Sequence, residues 1–358
     1  MAALNVWAGS CSHVGTDLKA GNRESFAEAI RQSEGLVDEA PAFEWDVMVH
    51  LGDISGTQTP PDDEEGREIH RQWATLRTHR REQIYNVLGN HDGSGPVVSG
   101  EDRDVQWWFR KWVDPTGENT AVSGVDPERR PFPIDGTWER YSFEAGNVLF
   151  LLMGDRNDGG PPAGRAYREE GGGYPAGKVT HETFEWWRDQ VEANQDKIIV
   201  TGHHHMLKDT TVASGPWEGI VGNYHGHMAD GAPEGASYLY FVGDDPDANA
   251  FESYLAENPG AIDLWLGGHT HARPGDRYGG KSHVERKWGV TFANVAPMTR
   301  YHVQSKSAPL TRLITLEPGE SLAEMRCYLH TDDLAPVGWY EEAFRRIPLR
   351  HPFSGLDQ

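Results

Sequence analysis

The chain has 358 residues and carries 33 Lys and Arg against 55 Asp and Glu, a formal charge of −22, which disfavours nucleic acid as a general partner because a polyanion is repelled before specific contacts form. A hydrophobic content of 37 % with 13 Trp excludes a disordered chain, and this length buries a core without needing a disulfide or structural metal merely to fold. Cys11 and Cys327 are too few for a disulfide framework, and no apolar run approaches the roughly 18 residues of a membrane span.

The first strand-like run, residues 4–8, begins almost at Met1 with no signal-peptide pattern ahead of it. A cytoplasmic protein is expected; a chain trimmed of an export signal reads the same way. Asn22 can cap a helix with the face Phe26, Ala27 and Ile30. After a strand at 47–51, a second helix opens on Asp62 to Glu65, runs through Ile69, Trp73 and Leu76, and closes on Arg77, Arg80 and Arg81, an order that suits the helix dipole at both ends. Strands follow at 84–88 and 148–153, separated by a Pro- and Gly-rich stretch at 114–137. A second such stretch, 154–178, precedes a helix starting at Thr180 and running through Phe184, Trp187 and Val191. Strands at 198–200 and 262–266 flank a third long loop, 207–247, and long loops in a compact enzyme usually shape a binding site. Past His271 come strand-like runs at 290–295, 311–316 and 325–330 without helical patterns between them. Strands alternating with helices, then a strand-rich part over 272–358, make a single α/β domain spanning 1–358. Gly172 to Lys178 imitates a phosphate-cradling loop but lacks the following Ser or Thr and a preceding strand, so it reads as a loop.

The chemistry lies directly after the strands. Their exits read Cys11-Ser12-His13, Gly52-Asp53, Gly89-Asn90-His91-Asp92, Gly202-His203-His204-His205 and Gly267-Gly268-His269-Thr270-His271. Sites in open α/β sheets form beyond the carboxyl ends of strands, and imidazole, carboxylate, amide and thiolate together suit borderline transition metals. Each motif alone has a bland reading: a Gly-Asp turn is ordinary, and a His run is usually a polar loop. Five in succession, each after a strand, point to a metal site.

These blocks resemble those of the calcineurin-like metallophosphoesterases, whose ordered motifs are Asp-x-His, Gly-Asp, Gly-Asn-His-Asp or -Glu, a Gly-His or His-His block, and Gly-His-x-His. Four of the five stand intact between residues 11 and 271. The resemblance implies a four-layer αββα fold of two mixed β-sheets flanked by helices. It implies two divalent or trivalent transition metal ions (Mn, Fe or Zn), one on His13, Asp53 and His271, and a second sharing Asp53 and held by Asn90, His203 and His269. His204 and His205 are then expected to line the pocket or pack. Cys11 departs from the pattern, standing where the common motif has Asp. As a thiolate beside a dication it remains a ligand and biases the first position towards iron or zinc; the alternative is a small buried residue that leaves that ion one ligand short.

The expected activity is hydrolysis of phosphate esters by a metal-bridging hydroxide, phosphodiesters preferred because the motifs resemble the cyclic-nucleotide and glycerophosphodiester branch. His91 is expected to be the general acid, with Asp92 orienting its ring and raising its pKa. Alternatives are a phosphomonoesterase, hydrolysis of a non-phosphate bond in an acidic sugar derivative, and a binding scaffold without chemistry. The expected partner is a small anionic substrate, with no nucleic acid and no membrane; a homo-oligomer is compatible with the sequence. Candidate substrate-binding residues are His204, Arg156, His225 and His227. Lys281, His283, Arg300 and His302 are candidates for a wider cationic rim, against the ordinary reading of each as a solvated surface residue, and Trp217, Tyr224, Tyr238 and Tyr240 are aromatic loop residues that stack on a sugar or base or, more commonly, pack.

Overall fold

The computed structural model describes residues 1–56, 61–93, 106–156, 177–215, 238–241, 249–277, 279–300 and 308–357. In chain order the strands are β1 (Leu4–Gly9), β2 (Val47–Leu51), β3 (Ile84–Val87), β4 (Asp135–Gly136), β5 (Arg140–Ala145), β6 (Val148–Met153), β7 (Gly177–Val179) and β8 (Ile198–His203). They continue with β9 (Leu239–Phe241), β10 (Leu264–Gly267), β11 (Val284–Lys287), β12 (Val290–Asn294), β13 (Leu310–Leu316), β14 (Leu322–Leu329), β15 (Gly338–Trp339) and β16 (Arg345–Pro348). The helices are α1 (Val14–Gly21), α2 (Ser25–Ser33), α3 (Asp63–Trp73), α4 (Trp107–Trp112), α5 (Thr120–Ser123), α6 (His181–Ala193) and α7 (Asn249–Glu257).

One sheet has the order β15-β14-β13-β1-β2-β3, with β16 also on β14; the other is β11-β12-β10-β8-β6-β5-β4; β7 and β9 pair separately. β1, β2 and β3 are parallel neighbours, as are β6, β8, β10 and β12, while β13 joins β1 antiparallel. Both sheets are therefore mixed.

Strand alternation divides the apolar residues among layers. In β1, Leu4, Val6 and Ala8 enter a core between the sheets, where they meet Phe150 of β6, Val200 of β8 and Leu266 of β10. Trp7 faces the other way and packs with Phe26 of α2, Ile69 of α3 and Trp108 of α4. On the far side, Ile199 and Trp265 pack with Trp187 of α6 and Phe251 of α7. Helix, sheet, sheet, helix is the four-layer arrangement that the family resemblance implies. Strands covered on both faces read as near-continuous apolar runs, which made them legible in the sequence.

Most element boundaries fall close to expectation. Asp62 caps α3, its Oδ1 accepting from the N–H groups of Glu64 and Glu65 at 2.8 and 3.0 Å, and Thr180 caps α6 by accepting from Thr183 N at 3.1 Å. Asn22 does not cap α2: it is the left-handed residue that ends α1, its N–H returning to Asp17 O, and Glu24 precedes α2. The stretch 114–137 is ordered around Asp114, whose carboxylate accepts from Glu118 N, Asn119 N and Ser123 Oγ at 2.7–2.9 Å. Of the other two long loops, 157–176, 216–237 and 242–247 lie outside the described residues. No helix among the described residues is long and apolar enough to cross a membrane.

Candidate metal centre

The parallel ladder of β1 and β2 continues past both strands and lays their exits side by side. Cys11 N donates to Gly52 O at 3.0 Å, His13 N to Asp53 O at 3.1 Å and Val14 N to Ile54 O at 2.9 Å. Four non-glycine residues at the exits of β1, β2 and β10 are left-handed: Cys11 (φ 54°), His13 (42°), Asp53 (53°) and His269 (64°). Such residues are uncommon and gather at functional sites, where the surrounding structure overrides their intrinsic preference. The turn after β10 is equally tight. Thr270 N donates to Gly268 O and Ala272 N to Thr270 O, and Asn294 Nδ2 holds Thr270 O at 3.1 Å.

Two clusters share Asp53. In one, four polar atoms from four strand exits follow one another in close contact. His204 Nε2 lies 3.0 Å from Asp53 Oδ2 and 3.3 Å from His269 Nδ1, which is itself 3.1 Å from Asn90 Oδ1. His204 Nδ1 faces Leu51 O at 2.6 Å, so it carries the hydrogen and leaves the Nε2 lone pair to the cluster. Burial opposes a charge on His204, but the Asp53 carboxylate beside it raises its pKa above the ordinary value. The His204 lone-pair nitrogen, the second imidazole, the carboxylate oxygen and the amide oxygen in this chain of contacts are donor types that suit a cation.

The second cluster gathers Cys11, His13 and His271. His13 Nε2 is 3.6 Å from Asp53 Oδ2, and His13 Nδ1 donates to Gly56 O at 2.9 Å, fixing the same tautomer as in His204. Donor atoms of Cys11, His13 and His271 lie within 4.8 Å of one another, and so do those of Cys11, Asp53 and His204. Burial and the neighbouring Asp53 charge push the Cys11 thiol well above its ordinary range. A thiolate there needs a cation against it. The Asp53 carboxyl stays far below its usual range: burial works against its charge, but the His204 and His91 imidazoles outweigh burial.

His91 groups with His13 and Asp53. Its N–H donates to Asp53 Oδ1 at 2.9 Å, and its ring meets that of His13 edge-on at 4.9 Å. Asp92 does not orient that ring as expected. Its Oδ1 accepts from Ser55 N at 3.0 Å and its Oδ2 from Gly89 N at 2.9 Å; it ties the β2 exit to the β3 exit through backbone.

Of the three consecutive histidines, the structure seats His204 at Asp53 rather than His203. Ile198 and Val200 face the inter-sheet core, while Ile199 faces the helices and Thr201 Oγ1 accepts from Trp187 Nε1 of α6. Period-two alternation therefore sends His203 to the helix side and His204 between the sheets. His203 belongs to no donor cluster among the described residues; its Nδ1 accepts the His205 N–H at 2.8 Å. Burial and nearby His204 bring its pKa down to about 3. His205, expected to line the pocket or pack, groups with His204 and His269.

Arg156 pairs with Glu139 Oε2 at 3.0 Å and lies over the Trp138 ring. Lys281 pairs with Asp209 and Arg300 with Asp333, His283 is buried beside Arg312, and Tyr238 is buried. His225, His227, His302, Trp217 and Tyr224 lie outside the described residues; β9 contains Tyr240. The sequence reading missed Asp155, which is fully buried just past β6 and 3.7 Å from His205 Nδ1. The available signal was Gly154-Asp155 after a strand, the same form as Gly52-Asp53.

A family model described as calcineurin-like phosphoesterase matches residues 4–273. The chain belongs to that family, whose members are generally metal-dependent phosphoester hydrolases that bind two ions. No curated protein matches the chain significantly. Among solved structures, a single mutant of Vps29 from Entamoeba histolytica is 12% identical with a TM-score of 0.33, covering 96% of this chain and 99% of its own. Vacuolar protein sorting 29 from Cryptosporidium parvum is 9% identical with a TM-score of 0.31, over 97% and 100%. Chaetomium thermophilum Vps29 is 9% identical with a TM-score of 0.32, over 96% and 97%.

Proposed function

We propose that this chain is a dinuclear metal-dependent phosphoesterase, with phosphodiesters the preferred substrate class. Cys11, His13, Asp53 and His271 hold the first ion; Asp53, Asn90, His204 and His269 hold the second. The observation that carries this reading is Asp53 Oδ2, which lies 3.6 Å from His13 Nε2 and 3.0 Å from His204 Nε2, so one carboxylate serves both positions. The Cys11 sulfur favours iron or zinc over magnesium at the first position. When bound, the two ions supply Lewis acidity towards a phosphoryl group and lower the pKa of water to near neutrality.

The chain does the rest. Asp53 Oδ1 holds the His91 backbone, which keeps the His91 ring beside His13, and a ring N–H of His91 delivers the proton to the departing ester oxygen. Asp92 acts as a positioning residue: by joining Ser55 N and Gly89 N it fixes the turn that presents Asn90 and His91.

The test is hydrolysis by metal-free protein reloaded with Mn²⁺, Zn²⁺ or Fe²⁺ and counted for bound ions. At two ions per chain, bis(nitrophenyl) phosphate is expected to turn over faster than nitrophenyl phosphate; the reverse order makes the protein a monoesterase. His91→Asn should retain both ions and lose about 10²–10⁴-fold on alkyl esters, but far less on nitrophenyl esters, whose leaving group needs no proton. Equal losses on both refute the acid role, and no hydrolysis of any phosphate ester at full loading overturns the whole reading.

A further inference from the structure

His205 is fully buried, yet neither ion position proposed above uses it. Its ring lies face to face with that of His269, centroids 3.7 Å apart and planes 28° from parallel. Rings stacked in this way point their nitrogens along separate planes, so His205 presents His269 with a flat surface and not with a lone pair. His269 Nδ1 meanwhile stays with Asn90 Oδ1 at 3.1 Å and His204 Nε2 at 3.3 Å, and the His204 ring crosses that of His269 at 5.2 Å and 79°. The Cβ–Cγ torsion of a histidine is soft, so its neighbours set the orientation of the ring. With the His205 face at 3.7 Å, turning His269 about that bond drives a ring edge into van der Waals overlap.

The surface that His205 presents is itself fixed. Gly177 of β7 lies against Cγ, Nδ1 and Cδ2 of His205, so that any Cβ at position 177 would overlap them. His203 Nδ1 accepts the His205 backbone N–H at 2.8 Å. Asp155, buried at the β6 exit, stands 3.7 Å from His205 Nδ1, and its own N–H is tied to Leu88 O at 2.8 Å. A buried carboxylate so close raises the electron density of the His205 ring, whereas an ion drawing on His269 lowers that of its ring. Faces of opposite polarity attract, so the stack favours the ion-bound form of His269 as well as a single orientation.

We propose that His205 is a positioning residue for His269: seated by Gly177 and Asp155, it holds the His269 ring in the orientation that serves the second ion, without touching the ion. This rests on the dinuclear reading above. Each of the three consecutive histidines then has its own part: His203 braces the turn, His204 faces Asp53, and His205 backs His269.

The test is titration of metal-free protein with Co²⁺, following ions bound and visible absorption, in wild type, His205→Ala, His205→Phe and Gly177→Ala. His205→Ala removes the flat surface, His205→Phe restores it without a nitrogen, and Gly177→Ala displaces the His205 ring. His205→Ala and Gly177→Ala are expected to bind the second ion roughly 10- to 100-fold more weakly, and His205→Phe to stay within about threefold of wild type. All three should keep the first ion, with its Cys11 thiolate-to-cobalt absorption. A loss in His205→Phe as large as in His205→Ala overturns the proposal, because a nitrogen and not the ring face is then what counts. A His205→Ala affinity within about twofold of wild type overturns it too. Both results leave the dinuclear reading standing, whereas fewer than two Co²⁺ in wild type overturns that reading and the proposal together. Should circular dichroism show His205→Ala to be unfolded, Gly177→Ala against His205→Phe decides the matter by the same comparison.

Discussion

Cys11 and the His203–His204 pair show how much chemistry turns on single positions. Cys11 is wholly buried and next to a carboxylate, and both features hold its thiol protonated in the ion-free chain. In the proposed site it becomes a ligand only when a cation reverses that balance, and a soft sulfur would then select the ion. Cys11→Ser is expected to weaken the first ion at least about tenfold, by analogy with other changes near a metal, while leaving the second ion bound. Cobalt-loaded wild type should show a thiolate-to-metal band that Cys11→Ser lacks; a wild type without that band excludes sulfur from the coordination sphere. Among the histidines, a shift of one residue along a strand exchanges the helix side for the inter-sheet side.

At the level of elements, the site depends on how closely strand exits approach. A Cβ on Gly52 would come within 2.6 Å of Gly89 Cα and 2.8 Å of His204 Nδ1, and φ there is +79°, so only glycine serves. Helix α1 starts directly after His13 and rests on α3 through Glu65: a Cβ on Gly15 would lie 2.6 Å from Glu65 Cγ, and Thr16 Oγ1 donates to Glu65 Oε1 at 3.3 Å. Burial, then the nearby Asp62 charge, push the Glu65 carboxyl up to about 7 from an ordinary 4.5. Between those values the folded chain binds more protons than the unfolded one, so stability falls as pH rises from about 4.5 to about 7 and is flat above. The whole effect is at most roughly 3.5 kcal/mol. Glu65→Gln should therefore gain melting temperature over wild type progressively from pH 5 to pH 8; a difference that does not vary with pH shows that Glu65 is already ionised at pH 5 in the folded chain.

For the whole molecule, the two donor clusters are where the sheets are joined at one edge. Cys11, His13, Asp53 and Asn90 follow strands of one sheet, and His204, His269 and His271 follow strands of the other. Within the protein this edge is already linked by His204 Nδ1, which donates to Leu51 O at 2.6 Å. Ions that bind only the folded chain add about 4 kcal/mol each when free ion exceeds the dissociation constant 1,000-fold. Chelation is expected to lower the melting temperature by several degrees and reloading to restore it. A melting curve indifferent to chelator, with ion loss verified by elemental analysis, counts against ions clasping the sheets.

The sequence by itself determined the class of fold, the five strand exits that carry polar chemistry, and hence the family. These are local signals: apolar runs of strand length, glycine punctuation, and donor residues at short spacing. Tertiary structure alone decided which donors meet. It chose His204 over His203 because the face of a strand is defined only against its neighbours, and it turned Asp92 to backbone N–H groups that lie 37 residues away at Ser55 and close by at Gly89. It also brought Asp155 to His205 across 50 residues of chain, a proximity that no spacing rule encodes because it arises from β6 and β8 lying side by side in register, Met153 opposite His203.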